Sequence, residues 1–215
     1  MFKLYDYFRS SAAYRVRIAL RLKKLEYQQI PVHLIKDGGH QFRAEYRALN
    51  PQARVPSLDV EGAIFTQSLA IIEYLDETHP QPAFLPADAA GRARARAMAQ
   101  LIACDIHPLN NLAPLNYLKD KMGQDEEAIK RWYRHWVETG LAALEALVTA
   151  QSRKGDFCMG ERPGIADICL VPQLFNARRY KSDLSACPTL VKIEAACNAL
   201  PEFAAAAPDK QPDAA

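Results

Sequence analysis

The chain has 215 residues, which is long enough for one large domain or two small ones around a sizeable core. Its 27 Lys and Arg nearly balance 25 Asp and Glu, so the charge gives no indication of a nucleic-acid partner. No stretch approaches the ~20 apolar residues of a membrane span. The N-terminal sequence MFKLYDYF also lacks the basic and apolar regions of a signal peptide.

The cysteines indicate free thiols. They are five in number, and none forms a C-x-x-C pair, which argues against a disulfide framework and against zinc. Free thiols are typical of a reducing compartment. We therefore expect a soluble, cytoplasmic protein without a metal and without a membrane partner.

Residues 1–80 mix strand and helix signals. Strands are predicted at 2–5, 27–32, 57–60 and 63–65, the last two joined by a Glu-Gly turn. After the first strand comes a helix with an apolar stripe, whose other face carries Arg15, Arg17, Arg21 and Lys24. Arg15 is expected to serve positioning near the turn, and Arg17 is expected to be a solvated charge. A loop and a weak helix cover 37–48, and another helix begins at Ser68. The predicted order is βαβαββα.

Prolines then mark a linker over residues 81–91, and the rest of the chain is helical in pattern. Helices are predicted at 92–118, 126–150, 165–180 and 188–199, with the first interrupted by Pro108 and Pro114. The tail, 204–215, carries little apolar surface and is expected to fray. The fold class is thus an α/β domain (1–80), a linker (81–91) and an all-α domain (92–215).

Two serines, Ser10 and Ser11, stand where the first strand passes into the first helix. Unpaired N–H groups and the helix dipole at such a point favour a thiolate or a carboxylate. A serine there is also a typical helix cap, and position alone leaves both interpretations open. Ser68, at the start of a later helix, offers a hydroxyl and N–H groups to an anion in the same way.

Four segments resemble those of the zeta-class glutathione transferases, in the same order and over nearly the whole chain. They are RSSAAYRVRIAL, NPQARVPSLD, QSLAIIEYLDETHP and DICLVPQLFNARRYKSDL. The resemblance implies a thioredoxin-like N-terminal domain followed by an all-helical domain that binds substrate. It also implies glutathione as the cofactor and a homodimer as the assembly.

The resemblance further implies the residues of the site. Glutathione contacts are expected at Ser10, Ser11, Arg15, Gln41, Val55, Gln67 and Ser68, with His107 and Asn111 added by the helical domain. The bond between Val55 and Pro56 is expected to be cis. Ser10 is expected to assist thiolate formation with Ser11 as its neighbour, while Arg9 and Arg179 face an acidic substrate. Forked, permanently charged guanidinium groups suit carboxylates better than Lys does.

The chain departs from the family pattern at two positions. Ala12 replaces the usual cysteine after the serine pair, which disfavours disulfide exchange at the turn. Gly164 replaces the usual Ser or Thr helix cap. Asp167, three residues further on, can still supply the reciprocal half of a capping box, so we interpret Asp167 as a folding residue.

The activity implied is glutathione-dependent cis–trans isomerisation of maleylacetoacetate to fumarylacetoacetate, in tyrosine and phenylalanine catabolism. Maleylpyruvate isomerisation in the gentisate pathway is the closest alternative. Proteins of that type carry an arginine after the HPxNN segment, where this chain has Leu112 and Ala113. Conjugation of α-halo acids is a further alternative. A non-catalytic binding protein is disfavoured, because it would not need thiolate-binding and carboxylate-binding groups together.

Overall fold

The computed structural model describes residues 1–151 and 154–214. These residues form two compact units. The first comprises Met1–Ala83 together with Ala199–Ala215, and the second comprises Phe84–Asn198. The boundaries 1–80, 81–91 and 92–215 stay a prediction. The compact units differ from them mainly at the C-terminal end, which lies with the first unit rather than with the helical one.

The first unit is built on a four-stranded sheet with the order β2-β1-β3-β4. Its elements are β1 (Phe2–Asp6), α1 (Ser11–Leu22), β2 (Tyr27–Pro31), α2 (Ala44–Leu49), β3 (Ser57–Val60), β4 (Ala63–Thr66) and α3 (Ser68–Thr78). Strand β1 runs parallel to β2 and antiparallel to β3, and β3 pairs antiparallel with β4. The predicted order βαβαββα and the thioredoxin-like class are confirmed.

The sheet and helices α1 and α3 enclose the core of this unit. Leu4 and Leu58 lie opposite each other on β1 and β3, and both are fully buried. Ile18 of α1 and Ile71 and Leu75 of α3 are fully buried as well. Burying one such side chain contributes about 1.5–3 kcal/mol relative to leaving it in water, so this core holds α1 and α3 in place.

The prediction that the tail frays is wrong. Residues Pro201–Ala206 form helix α9, which packs against α1, and a short 3-10 turn follows at Pro208–Lys210. Phe203 and Ala206 are fully buried. The Nε2 of buried Gln211 donates to the carbonyls of Ala205 and Ala207, at 3.1 and 2.7 Å. A single phenylalanine and backbone hydrogen bonds to one glutamine therefore order a segment of otherwise small residues.

The second unit is helical. Its elements are α4 (Ala89–Gln100), a π-helical segment (Leu101–Ile106), a 3-10 turn (His107–Asn110), α5 (Leu112–Asp120), α6 (Glu126–Thr149), α7 (Ile165–Arg179) and α8 (Pro188–Asn198). The helix predicted over 92–118 is interrupted where Pro108 removes a backbone donor. Pro114 lies in the first turn of α5, where proline is tolerated.

Close packing explains the presence of glycine at two positions of this unit. A Cβ at Gly140 of α6 would lie 2.3 Å from Cγ1 of Ile106, so the glycine lets the π-helical segment approach α6 closely. A Cβ at Gly164 would lie 2.6 Å from the carbonyl oxygen of Phe84. Asp167 compensates for the missing Ser or Thr, since its Oδ2 accepts the Gly164 N–H at 2.9 Å. The reciprocal half of a capping box expected from Asp167 is therefore present, while Gly164 has no side chain to supply the other half.

Two kinds of feature are missing from residues 1–151 and 154–214. None of their helices is both long and apolar enough to cross a bilayer. Their His, Cys, Asp and Glu side chains also form no group of three that could hold a metal ion.

Candidate functional site

The turn between β1 and α1 places Ser10 at the cap of the helix. The Ser10 N–H donates to the Tyr7 carbonyl at 2.8 Å and closes the turn. The Ser10 Oγ accepts the Ala13 N–H at 3.2 Å, and the Ser10 carbonyl accepts the Tyr14 N–H at 2.8 Å. The N–H groups of Ser11 and Ala12 come before these first hydrogen bonds. They mark the end of the helix that carries a partial positive charge.

The N-terminus of α3 is hydrogen-bonded to α1. Ser68 is the first residue of α3, and its Oγ accepts a hydrogen bond from Nη1 of Arg15 at 3.2 Å. Both side chains are buried. Gln67 caps α3 with a φ of 67°, and its Nε2 donates to Oε1 of Gln52 at 2.8 Å. The structure thus joins three of the predicted positions, Arg15, Gln67 and Ser68, at neighbouring ends of two helices.

Gln41 has a buried polar atom without a protein partner. Its Nε2 donates to the Leu34 carbonyl at 3.1 Å, while its Oε1 has no hydrogen-bond partner among the described residues. The side chain is only 6% exposed. A Cβ at Gly39 would lie 2.7 Å from that oxygen, so only glycine leaves room for this arrangement. A buried acceptor of this kind is costly and is suited to an N–H of a bound ligand.

The bond between Val55 and Pro56 is cis, as the resemblance implies. Val55 is buried in one apolar cluster with Tyr7 of the turn between β1 and α1 and with Tyr46 of α2. Sequence reasoning missed two residues that hold this loop. The Tyr46 hydroxyl donates to the Arg54 carbonyl at 2.6 Å, and the Asn50 amide donates to the same carbonyl at 2.8 Å. Burial raises the pKa of Tyr46, which keeps the phenol protonated as a donor.

The arginines separate into paired and unpaired cations. Arg9 lies over the Phe8 ring at 4.7 Å, and its buried Nε has no acceptor among the described residues. Arg178 is paired with Glu194. Its neighbour Arg179 lies over the Tyr180 ring at 5.4 Å, without an ion pair in the part of the chain that the structure describes. Among the described residues, no carboxylate neutralises the charge of either predicted substrate residue, Arg9 or Arg179.

The prediction that Arg17 is a solvated surface charge is wrong. Its side chain is fully buried, and Nη1 donates to both carboxylate oxygens of Asp6 at 2.8 Å. Gln29 donates to the same carboxylate at 2.7 Å. Burial raises the pKa of Asp6, and the Arg17 charge opposes that shift. The hydrophobic pattern of α1 gave the wrong prediction because α9, which is distant in sequence, packs over the face of α1 that carries Arg17.

Two predicted glutathione contacts belong to the helical unit. His107 is the first residue of the 3-10 turn His107–Asn110. Asn111 caps α5, with its Oδ1 accepting the Leu112 N–H at 2.7 Å. Both lie where the chain passes from the π-helical segment to α5, and π-helical turns are frequently found at functional sites.

Comparison with known proteins gives the family. A sequence model of the glutathione S-transferase N-terminal domain matches residues 4–83, and one of the C-terminal domain matches residues 130–205. The chain belongs to the glutathione S-transferase family. Among curated relatives, it is 51% identical to a maleylacetoacetate isomerase of Pseudomonas aeruginosa, an alignment that covers 98% of both chains. It is 46% identical to a maleylpyruvate isomerase of a Ralstonia species, over 99% of this chain and 100% of the relative.

Solved structures point to the zeta class. A holo structure of a maleylpyruvate isomerase, described as a bacterial zeta-class glutathione transferase, superimposes with a TM-score of 0.96 at 46% identity. It covers 99% of this chain and 100% of the other. A maleylacetoacetate isomerase of Methylobacterium extorquens with bound malonate and glutathione gives 0.94 at 39% identity, over 99% of both chains. The class implied by the sequence segments is confirmed.

Proposed function

We propose that the protein is a glutathione-dependent cis–trans isomerase that converts maleylacetoacetate to fumarylacetoacetate. The observation that carries the proposal is the Ser10 cap at the start of α1. Its acceptor lone pair is used by the Ala13 N–H, so the hydroxyl hydrogen is left to donate to a thiolate. Capping and catalysis are therefore compatible in this one side chain.

The residues present fit glutathione. The buried, unpartnered Oε1 of Gln41 offers an acceptor to a peptide N–H. Gln67 and Ser68, at the N-terminus of α3, suit the γ-glutamyl carboxylate. We assign Ser11, Arg15, Val55, His107 and Asn111 to the same binding site on the strength of the resemblance. Bound glutathione supplies a thiolate that adds reversibly to the cis double bond and so permits rotation about it.

The protein's own groups prepare that chemistry. The positive end of α1 and the Ser10 hydroxyl lower the pKa of a thiol placed at the turn. Arg9 and Arg179 have no neutralising carboxylate among the described residues, and they would hold the carboxylate of the substrate and the charge that spreads to its carbonyl. Since this chain has Ala12 beside the serines, no protein thiol competes there with the thiol of glutathione.

Maleylpyruvate is the second candidate substrate, because relatives of both names align over nearly the whole chain. The absence of an arginine after Asn111 favours maleylacetoacetate. Leu112, which stands there instead, is partly exposed at the start of α5 and has no charge for a second carboxylate. A homodimer in the cytoplasm, and conjugation of α-halo acids as a side activity, belong to the same proposal.

The test is isomerisation of maleylacetoacetate and of maleylpyruvate, each with and without glutathione. We expect turnover that depends on glutathione and favours maleylacetoacetate. A preference for maleylpyruvate would keep the mechanism and overturn the substrate. No turnover of either substrate, despite tight binding of glutathione, would redirect the assignment to conjugation or to a binding role.

A further inference from the structure

We propose that Arg17 and Asp213 are positioning residues, which hold the turn between β1 and α1, and with it Ser10, in place for the reaction. This inference rests on the proposed function, since part of its effect is read in turnover. The structure joins three separate segments at this point: the turn, helix α1 and the C-terminal segment. All three belong to the first compact unit.

Both backbone polar groups of Phe8 are held by charged side chains. Its N–H donates to Oδ2 of Asp213 at 3.0 Å, and its carbonyl accepts from Nη2 of Arg17 at 3.0 Å. Hydrogen bonds to charged groups are roughly twice as strong as those between neutral groups. Phe8 lies inside the turn that the Ser10 N–H closes onto Tyr7. A displacement of Phe8 therefore displaces the Ser10 cap.

Arg17 connects this turn to two further segments. Its Nη1 binds the Asp6 carboxylate at the end of β1, and its Nε donates to the Ala206 carbonyl of α9 at 3.0 Å. Replacing both members of a buried ion pair by apolar side chains of similar volume is often neutral or stabilising, so stability alone does not require the pair. Only a guanidinium can reach a carboxylate and two carbonyls at once. The choice of arginine here points to geometry rather than to stability.

Geometry also explains the presence of Asp213 better than stability does. Its Oδ1 is buried and has no hydrogen-bond partner among the described residues, which costs free energy. The segment that carries it is already ordered by Gln211 and by the buried Phe203. Stability alone therefore gives no reason for a carboxylate at this position, whereas its other oxygen fixes the Phe8 N–H.

The test compares Asp213→Ala with Asp213→Asn and with Asp209→Ala as the matched control. Asp209 lies in the same segment, but its side chain is 68% exposed and forms an ion pair with exposed Lys210. We expect Asp213→Ala to lower kcat about tenfold with the KM for glutathione changed less than about twofold. Asp213→Asn should recover most of the loss, because its amide oxygen still accepts the Phe8 N–H.

Amide hydrogen exchange at residues 7–11 provides the second readout. We expect faster exchange in Asp213→Ala and wild-type exchange in Asp209→Ala. Unchanged exchange would overturn the positioning role, as would faster exchange with wild-type kcat. A wild-type protein that neither binds glutathione nor isomerises would contradict the proposed function instead. Accelerated exchange confined to the alanine variant would even then support the connection between tail and turn.

Discussion

Ser10 combines a structural and a chemical role that can be separated by substitution. Its Oγ satisfies the Ala13 N–H, and removal of a serine cap costs about 1 kcal/mol of stability. The hydroxyl hydrogen is the part that would stabilise a thiolate. A residue that caps the helix but has no hydroxyl hydrogen distinguishes the two roles.

We expect Ser10→Ala to lose about 1 kcal/mol of stability and about 100-fold in kcat, while glutathione binding largely survives. Ser10→Asp should restore the cap but not the turnover, since a carboxylate offers no proton and repels the thiolate. Ser10→Thr should keep both. Thermal denaturation and isomerase kinetics measure the two roles separately. Wild-type turnover in Ser10→Asp would reduce Ser10 to a helix cap.

Arg17 is the second residue whose buried surroundings determine the effect of a substitution. Its removal leaves Asp6 buried and unpaired, a situation that typically costs about 3–5 kcal/mol. We expect Arg17→Met to lower the free energy of unfolding by about this amount. Arg43→Met is the control, because Arg43 pairs with Asp37 at 3.5 Å with both side chains more than half exposed, and such pairs contribute about 0–1 kcal/mol. Urea denaturation of the two variants gives the comparison, and equal losses would contradict it.

For single residues, the sequence predicted the place in the secondary structure better than it predicted whether the side chain is buried. The serine pair was placed correctly because strand and helix signals are local and Ser10 lies between them. The burial of Arg17 was not predictable in this way. Its partners include the Ala206 carbonyl, 189 residues away in sequence, and no local pattern reports such a contact. Tyr46 and Asn50 were missed for the same reason, since their role depends on reaching the Arg54 carbonyl.

Among the elements, α8 depends on a carboxylate of another helix. Glu145 of α6 accepts the N–H groups of Thr189 and Leu190, at 3.0 and 2.9 Å, in the first turn of α8. The side chain is buried, with 9% of its surface exposed. Two otherwise unpaired donors and the positive end of α8 are thereby satisfied by one group. This contact fixes the packing of α8 on α6.

We expect Glu145→Ala to cost about 2–3 kcal/mol of stability, because two buried N–H groups lose their acceptor. Glu127→Ala is a matched control on the same helix, since the Glu127 side chain is 65% exposed and pairs with the partly exposed Lys130. That variant should change stability by less than about 0.5 kcal/mol. Denaturation in guanidinium measures both. Similar midpoints for the two variants would show that α8 finds another cap.

The elements themselves were predicted to within a few residues, because periodicity and proline positions are strong local signals. The exceptions are the tail, where α9 was not predicted, and the helix expected over 92–118. Proline explains its interruption at Pro108, but nothing in the sequence predicts that Leu101–Ile106 is π-helical. Its last residue, Ile106, packs closely against Gly140 of α6, which is a tertiary contact that no local pattern reports.

At the scale of the whole molecule, the five cysteines differ sharply in accessibility. Cys104 is exposed, whereas Cys158, Cys169, Cys187 and Cys197 are buried. Burial, with Glu145 nearby, raises the pKa of Cys187 from 9.0 to about 11. The folded protein therefore holds this proton more tightly than the unfolded chain does. Its contribution to stability is complete below pH 9.0 and is lost as the pH rises towards 11.

We expect one thiol to react rapidly with a disulfide reagent at pH 8 in the native protein, and all five cysteines to react in denaturant. Cys104→Ser should abolish the rapid reaction without affecting isomerisation, because the proposed chemistry uses the thiol of glutathione. Titration of released thiolate measures both. A second fast thiol in Cys104→Ser would indicate that a buried cysteine opens readily to solvent.

The tail of the chain has a consequence for protein synthesis. Residues 1–83 leave the ribosome before the helical unit does, yet the unit they form also contains the segment that begins at Ala199, after the helical unit. Domains generally fold during synthesis from the N-terminal end. Here the face of α1 that α9 covers stays uncovered until residues 201–206 have been synthesised, so the nascent protein exposes an unfinished first unit throughout the synthesis of the helical one. Chaperones that protect apolar surface would then be needed for longest at the part made first.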